Sequence, residues 1–180
     1  LAATILTDSI TLSNIPKVKD IDTMLELLSS LGSKIYFNKN KKKIIIQNYN
    51  SNKTVAKYKL VKTMRAGVLL LGSLLSRFGK AKVSLPGGCA IGMRPINIHI
   101  NALKKMGANI KIVEGYIYAV AKNGLKGAKI KFPKISVGAT ENLLIAACKA
   151  KGKTILSNCA IEPEVKDLTK CTADNICKTC

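Results

Sequence analysis

Leu85-Pro86-Gly87-Gly88-Cys89-Ala90-Ile91-Gly92-Met93-Arg94-Pro95 joins a short strand-like run, Lys82-Val83-Ser84, to a helical pattern over residues 98–106. Upstream, residues 68–78 form an apolar run of helical length. The order helix, strand, loop, helix decides the fold, because it recurs along the chain. The adjacent Gly87 and Gly88, with Gly92 beyond, let the backbone take turns barred to other residues or pass close to a bound molecule. That glycine arc holds a thiol, Cys89, and five residues later a guanidinium, Arg94. Loops carry chemistry more often than cores do, so this loop is the first candidate site. As an isolated pair, Gly87-Gly88 would read as no more than a tight turn.

Outward from the loop, an internal repeat emerges. In the second unit the helix over 98–106 turns Ile100, Leu103 and Met106 inward and stops at Gly107, and strands follow over 109–113, 116–121 and 128–132. The first unit has the same order: an apolar helix end over 1–6, a strand at Ile10-Thr11-Leu12, then Asn14-Ile15-Pro16. A helix with Ile21, Met24, Leu25, Leu28 and Leu31 on one face ends at Gly32, followed by strands over 34–37 and 43–47. The third unit begins with a helix over 140–150 and a strand over 154–156, and residues 158–164 echo the post-strand loop. Unit boundaries fall at about 1–60, 61–133 and 134–170, and residues 171–180 leave the pattern. The first helix of each unit is apolar nearly all round and must be buried, whereas the second is two-faced. The expected class is α/β: one partial domain of associated repeats, with buried helices and sheets outside.

Composition narrows the function. The 180 residues are 47% hydrophobic, enough for one well-buried domain, and no apolar run reaches membrane-spanning length. The chain opens without Met, and 1–6 lacks signal-peptide flanks, so we expect no membrane partner and a true start further upstream. A net charge of +20 suggests a polyanion, but only Arg65, Arg77 and Arg94 are arginines and aromatics are 4%. A lysine-rich solvated surface is therefore expected rather than a nucleic-acid groove. The six cysteines follow no disulfide spacing and are expected to be reduced. Cys148 reads as a small buried hydrophobe. Cys171, Cys177 and Cys180 lack a fourth neighbour for zinc, so no metal is assigned. His99 reads as a helix-surface residue and Arg77 as a solvent-facing charge at a helix end.

The chemistry-bearing residues imply a polyanionic small molecule. A thiol with a reference pKa of about 8.5 is mostly protonated at neutral pH and can donate a proton. The fork of Arg94 suits a carboxylate or phosphate. Arg65 begins the second unit's buried helix, and Lys134 and Ser136 precede the third unit's. Helix N-termini and cations converging on one spot make an anion site.

The loop 85–95 resembles the active-site loop of the UDP-N-acetylglucosamine 1-carboxyvinyltransferase family of enolpyruvyl transferases. So do Val61-Lys62-Thr63-Met64-Arg65-Ala66, Ser136-Val137-Gly138-Ala139-Thr140-Glu141-Asn142 and Glu162-Pro163-Glu164, together with Asn14-Ile15-Pro16 and Lys19-Asp20-Ile21-Asp22. The resemblance extends from Leu1 to about Leu168. It implies a fold of two similar domains, each of three repeats. It implies transfer of the enolpyruvyl group of phosphoenolpyruvate to the 3-hydroxyl of UDP-N-acetylglucosamine, without cofactor, in the bacterial cytoplasm at the start of peptidoglycan synthesis. It leaves the oligomeric state open. By the same resemblance, Cys89 is the proton donor and forms a covalent adduct, and Arg94 grips phosphoenolpyruvate. Arg65, Arg94, Pro95, Ile96, Asn97, Ile98, Lys134, Ile135, Ser136 and Val137 hold the UDP-sugar. The loop would act as a closing lid.

Asn97 stands where the family commonly has aspartate and is expected to cap the helix that begins there, since the two are about equally good caps. The family's lysine–asparagine pair would precede Leu1, and its general base and further arginines lie in a second domain beyond residue 180. These residues alone are therefore expected to show no significant turnover. The rivals are 5-enolpyruvylshikimate-3-phosphate synthase, whose corresponding loop lacks a cysteine, a non-catalytic truncated remnant, and a basic nucleic-acid-binding protein.

Overall fold

The computed structural model describes residues 1–38, 43–85 and 96–175. Cys89, Arg94 and Pro95 lie outside the described residues, as do Cys177 and Cys180.

The repeat is visible in the strand order. In the first unit β1 (Ser9–Ser13) and β2 (Lys34–Asn38) both pair antiparallel with β3 (Lys43–Gln47). In the second, β5 (Lys80–Ser84) and β6 (Asn109–Val113) both pair antiparallel with β7 (Tyr116–Val120). Amphipathic helices α1 (Lys19–Ser30) and α4 (Asn97–Lys105) occupy the matching place before each hairpin. The hairpin β6–β7 turns on Glu114 and Gly115, with φ of 48° and 76°, the positive pair that lets a two-residue loop follow the strands' twist.

The units are joined by a second motif. Strand β4 (Val55–Ala56) pairs parallel with β5 across the short α2 (Tyr58–Val61), a 3₁₀ segment (Arg65–Leu69) and α3 (Leu70–Phe78). Strand β8 (Lys129–Lys131) pairs parallel with β9 (Ile155–Ser157) across α5 (Val137–Ala147). Parallel partners need a crossover of this length, and α3 packs back on β5 and β7 of its sheet. The crossover helices are the apolar ones. Leu70, Leu71, Leu74 and Leu75 of α3 and Leu143 and Ala146 of α5 are wholly buried, and Phe132 just after β8 is 1% exposed. Each fully buried leucine contributes about 1.5–3 kcal/mol. A 3₁₀ turn, Ala2–Leu6, packs on α3, while α4 and α6 (Pro163–Asn175) pack on α5. The expectation of buried helices with outer sheets is met.

Two local expectations, the start of α5 and the Asn97 cap, are corrected. Helix α5 starts at Val137 rather than Thr140, because the Ser136 hydroxyl accepts the Ala139 N–H at 3.3 Å and caps it. Helix α6 continues through residues 171–175. Val165, Leu168 and Thr172 share its inner face, and the Thr172 hydroxyl donates back to the Leu168 carbonyl at 2.9 Å. Asn97 does not cap α4: it is the first helical residue, Ile96 precedes it, and no side chain closes that end.

Arg77 is not a solvent-facing charge. Its Nη1 donates to the carbonyls of Ile5 at 2.6 Å and Thr7 at 2.7 Å. Its Nη2 reaches Asp8 Oδ1 at 2.8 Å and the Asn48 carbonyl at 3.2 Å. The guanidinium thus ties the end of α3 to the first unit. Asp8 is 69% exposed, so the ion pair itself adds little; the Thr7 and Asn48 carbonyls keep the Asn48 Nδ2 and Ser51 N–H donors, whereas the Ile5 carbonyl would lose the guanidinium that binds it. Arg77→Ala is expected to cost about 3 kcal/mol in a denaturant titration of the intact protein. Arg77→Lys should recover less than half of that, lacking the planar fork. A loss below about 0.5 kcal/mol would contradict this role.

Candidate active site

The described part of the site is built where α4, α5 and the 3₁₀ segment before α3 meet. Lys134 and Ile135 are exposed on the approach to α5, and Ser136 and Val137 are half-buried at its first turn. Asn97 is exposed and Ile98 buried at the start of α4. A groove of about 710 Å³ runs beside them, lined by Asn97, Ile98, Asn101, Phe132, Pro133 and Asn158. The Asn158 carboxamide donates to the Phe132 carbonyl at 2.8 Å and steadies the chain leading to Lys134. Thr140 adds a second brace: its hydroxyl donates to the Ser136 carbonyl at 2.8 Å and accepts the Ala160 N–H at 3.0 Å. Arg65 is exposed at the head of the 3₁₀ segment.

These segments meet through a group that the sequence reading did not single out. Asn142, wholly buried on α5, accepts the Gly72 N–H on Oδ1 at 2.8 Å and donates from Nδ2 to the Val68 carbonyl at 3.3 Å. Val68 C=O and Gly72 N–H are the pair that an uninterrupted α-helix would join to each other. The carboxamide bridges that pair at the junction of the 3₁₀ segment and α3, the kind of insertion that redirects a helix. Its Nδ2 also lies 3.0 Å from His99 Nδ1.

His99 is buried, at 8% exposure, contrary to its reading as a helix-surface residue. The apolar pattern of α4 concealed this, since Ile98 and Ile100 on either side are buried too. The Gly72 N–H donates to Oδ1 and the Val68 carbonyl can only accept, which fixes the amide orientation and turns Nδ2 toward the ring. His99 Nδ1 must then be the acceptor, and the neutral ring carries its proton on Nε2. Burial pushes the His99 pKa down to about 4, so the ring stays neutral at physiological pH. Its Cε1–Nε2 edge lies against Gly138 in the first turn of α5, where an added Cβ would sit 3.7 Å from Cε1. The sequence signals were a glycine inside an apolar helix and an asparagine at a core position of another.

The structure therefore brings Ile96, Asn97 and Ile98 close to Ser136 and Val137 through the His99–Gly138 contact, with the Arg65 segment tied in through Val68. Lys134 and Ile135 lead into the same turn. Cys148 is buried, as read, and burial pushes its thiol pKa up. A second groove, about 460 Å³, lies on the β6–β7 sheet with Lys111, Tyr118, Lys122 and Lys126, and includes none of the expected site residues. Among the described residues no cluster of His, Cys, Asp and Glu could hold a metal ion, and no helix is long and apolar enough to cross a membrane.

The family model for EPSP synthase (3-phosphoshikimate 1-carboxyvinyltransferase) matches residues 1–172, and the chain belongs to that family. Within it, the chain is 66% identical over 169 residues to the UDP-N-acetylglucosamine 1-carboxyvinyltransferase of Pelagibacter ubique, covering 93% of this chain and 40% of that one. It is 53% identical to the enzyme of the same name from a Sulfurovum species, covering 97% and 41%. The chain thus spans about two-fifths of the length of these relatives. Two solved structures share the fold. They are the enolpyruvyl transferase NikO of Streptomyces tendae (TM-score 0.81, 17% identity, 96% of this chain and 40% of that one) and an EPSP synthase of Acinetobacter baumannii (0.69, 18%, 92% and 39%).

Proposed function

We propose that this chain is the cysteine-loop part of an enzyme that transfers the enolpyruvyl group of phosphoenolpyruvate to the 3-hydroxyl of UDP-N-acetylglucosamine. The observation that carries the reading is the 66% identity to a relative bearing that enzyme's name. The reaction would open peptidoglycan synthesis, in the bacterial cytoplasm.

The sugar oxygen attacks C2 of phosphoenolpyruvate while C3 takes a proton from the Cys89 thiol, giving a tetrahedral intermediate. Loss of a C3 proton and cleavage of the C2–O bond then release phosphate and leave the enol ether. Arg94 holds the carboxylate or phosphate of the donor through its fork. Ser136, Val137 and Lys134 present free backbone N–H groups and a cation to the diphosphate at the start of α5. Arg65 and residues 95–98 flank the nucleotide. The repeats 1–60, 61–133 and 134–170 provide one wall of the pocket. The opposite wall, with the base that takes the hydroxyl proton, belongs to the second domain that the resemblance implies.

The test is phosphate release by the intact enzyme with phosphoenolpyruvate and either acceptor. Release with UDP-N-acetylglucosamine, and none with shikimate 3-phosphate, is expected. The opposite preference would assign the chain to the shikimate branch, and release with neither would overturn transferase function. A polypeptide of residues 1–180 alone should release none, and robust turnover from it would show that one wall suffices.

A further inference from the structure

The geometry points to Asn142 as a positioning residue for the sugar-nucleotide half of the site, acting through His99: its carboxamide sets the 3₁₀ segment of Arg65, the start of α4 and the first turn of α5 in one arrangement and holds His99 in its Nε2–H form. This inference rests on the function proposed above.

A single buried amide on α5 reaches both of the other segments. Oδ1 is committed to the Gly72 N–H at 2.8 Å. Nδ2 has two hydrogens and two acceptors, the Val68 carbonyl at 3.3 Å and His99 Nδ1 at 3.0 Å. All of its capacity to donate is used, in a fully buried setting where an unmade bond leaves a desolvated group unpaired. Val68 belongs to the segment headed by Arg65, His99 follows Asn97 and Ile98, and Asn142 stands five residues beyond Val137. None of Gly72, Val68, Asn142 and Nδ1 of His99 lies at the protein surface, so the network contributes to binding only by placing others. A carboxamide is required because the position must accept from one side and donate to two others. Aspartate retains the acceptor but presents an oxygen to both the Val68 carbonyl and Nδ1. Relief then comes from a proton on His99 Nδ1, which changes the ring's protonation, or on the acid itself, whose single O–H serves only one of the two acceptors that the amide served.

The test compares Asn142→Asp, His99→Leu and His99→Asn in the intact enzyme, with ¹⁵N NMR of the histidine rings assigned by loss of the His99 signals in the variants. His99→Asn keeps an acceptor where Nδ1 stands, and His99→Leu removes it. Wild type should show His99 protonated on Nε2 alone. Asn142→Asp and His99→Leu should raise KM for UDP-N-acetylglucosamine at least about tenfold, with KM for phosphoenolpyruvate changed less than about threefold. His99→Asn should recover most of the affinity that His99→Leu loses. If Asn142→Asp does not fold, the two His99 variants decide.

Wild-type KM for the sugar nucleotide in folded Asn142→Asp or His99→Leu would overturn the inference and leave Asn142 a purely structural residue. So would a wild-type ring protonated on Nδ1. Failure of the functional reading has a different signature: the wild-type enzyme itself would not use the UDP-sugar, whatever the state of the ring.

Discussion

Replacing Cys89 by alanine in the intact enzyme is expected to lower kcat by about 10²–10⁴-fold and to abolish the covalent adduct with phosphoenolpyruvate. The carbon accepting the proton is a weak base, so its protonation needs an acid held against it. A thiol with a pKa of about 8.5 remains protonated at neutral pH yet gives up its proton readily. Serine is a far weaker acid, and Cys89→Ser should be no better than alanine. The loss belongs to kcat: binding of UDP-N-acetylglucosamine, which depends on the α4 and α5 segments, should change less than about threefold. Near-normal turnover in Cys89→Ala would remove the proton-donor role, and a persisting adduct would place it on another nucleophile.

Gly72→Ala should destabilise the protein by about 3–5 kcal/mol, although alanine is the better helix former by about 1 kcal/mol. Its Cβ would fall 2.5 Å from the backbone oxygen of Asn142 and closer still to Oδ1, where α3 meets α5. The helices must separate or the carboxamide must turn away. Turning away leaves Gly72 N–H, Val68 C=O and His99 Nδ1 without their partner. Overpacking of this kind costs about 1–3 kcal/mol, and buried unmade hydrogen bonds add a similar amount. Denaturant titration of the intact protein measures the sum, and a loss below about 1 kcal/mol would show that the crossing can relax.

The fold was largely legible because its repeats share punctuation. Gly32 and Gly107 end matching helices with φ of 103° and 90°, conformations closed to most residues, and both precede a two-strand hairpin. Asn14 and Asn158 carry φ of 56° and 53° just after β1 and β9, each within Leu-Ser-Asn, a triplet that marks the repeat more sharply than the looser echo of residues 158–164. Short elements escaped. Strand β4 has two residues and α2 four, too few for a period to register. Arg77 was misread because its partners, the carbonyls of Ile5 and Thr7, are backbone groups some seventy residues away. The candidate site divides the same way. Of the residues named through the resemblance, 96–98 fall at the start of α4, 134–137 at the start of α5 and Arg65 at the head of the 3₁₀ segment, while the amide and imidazole between them read as ordinary core and surface positions.

The most direct test of the account is a crystal structure of the intact enzyme with UDP-N-acetylglucosamine bound. The diphosphate should lie on the first turn of α5, within hydrogen-bond reach of backbone N–H groups of residues 136–138 and facing Lys134, with the nucleotide along residues 95–98. A nucleotide seated instead among Lys111, Tyr118, Lys122 and Lys126 would contradict it.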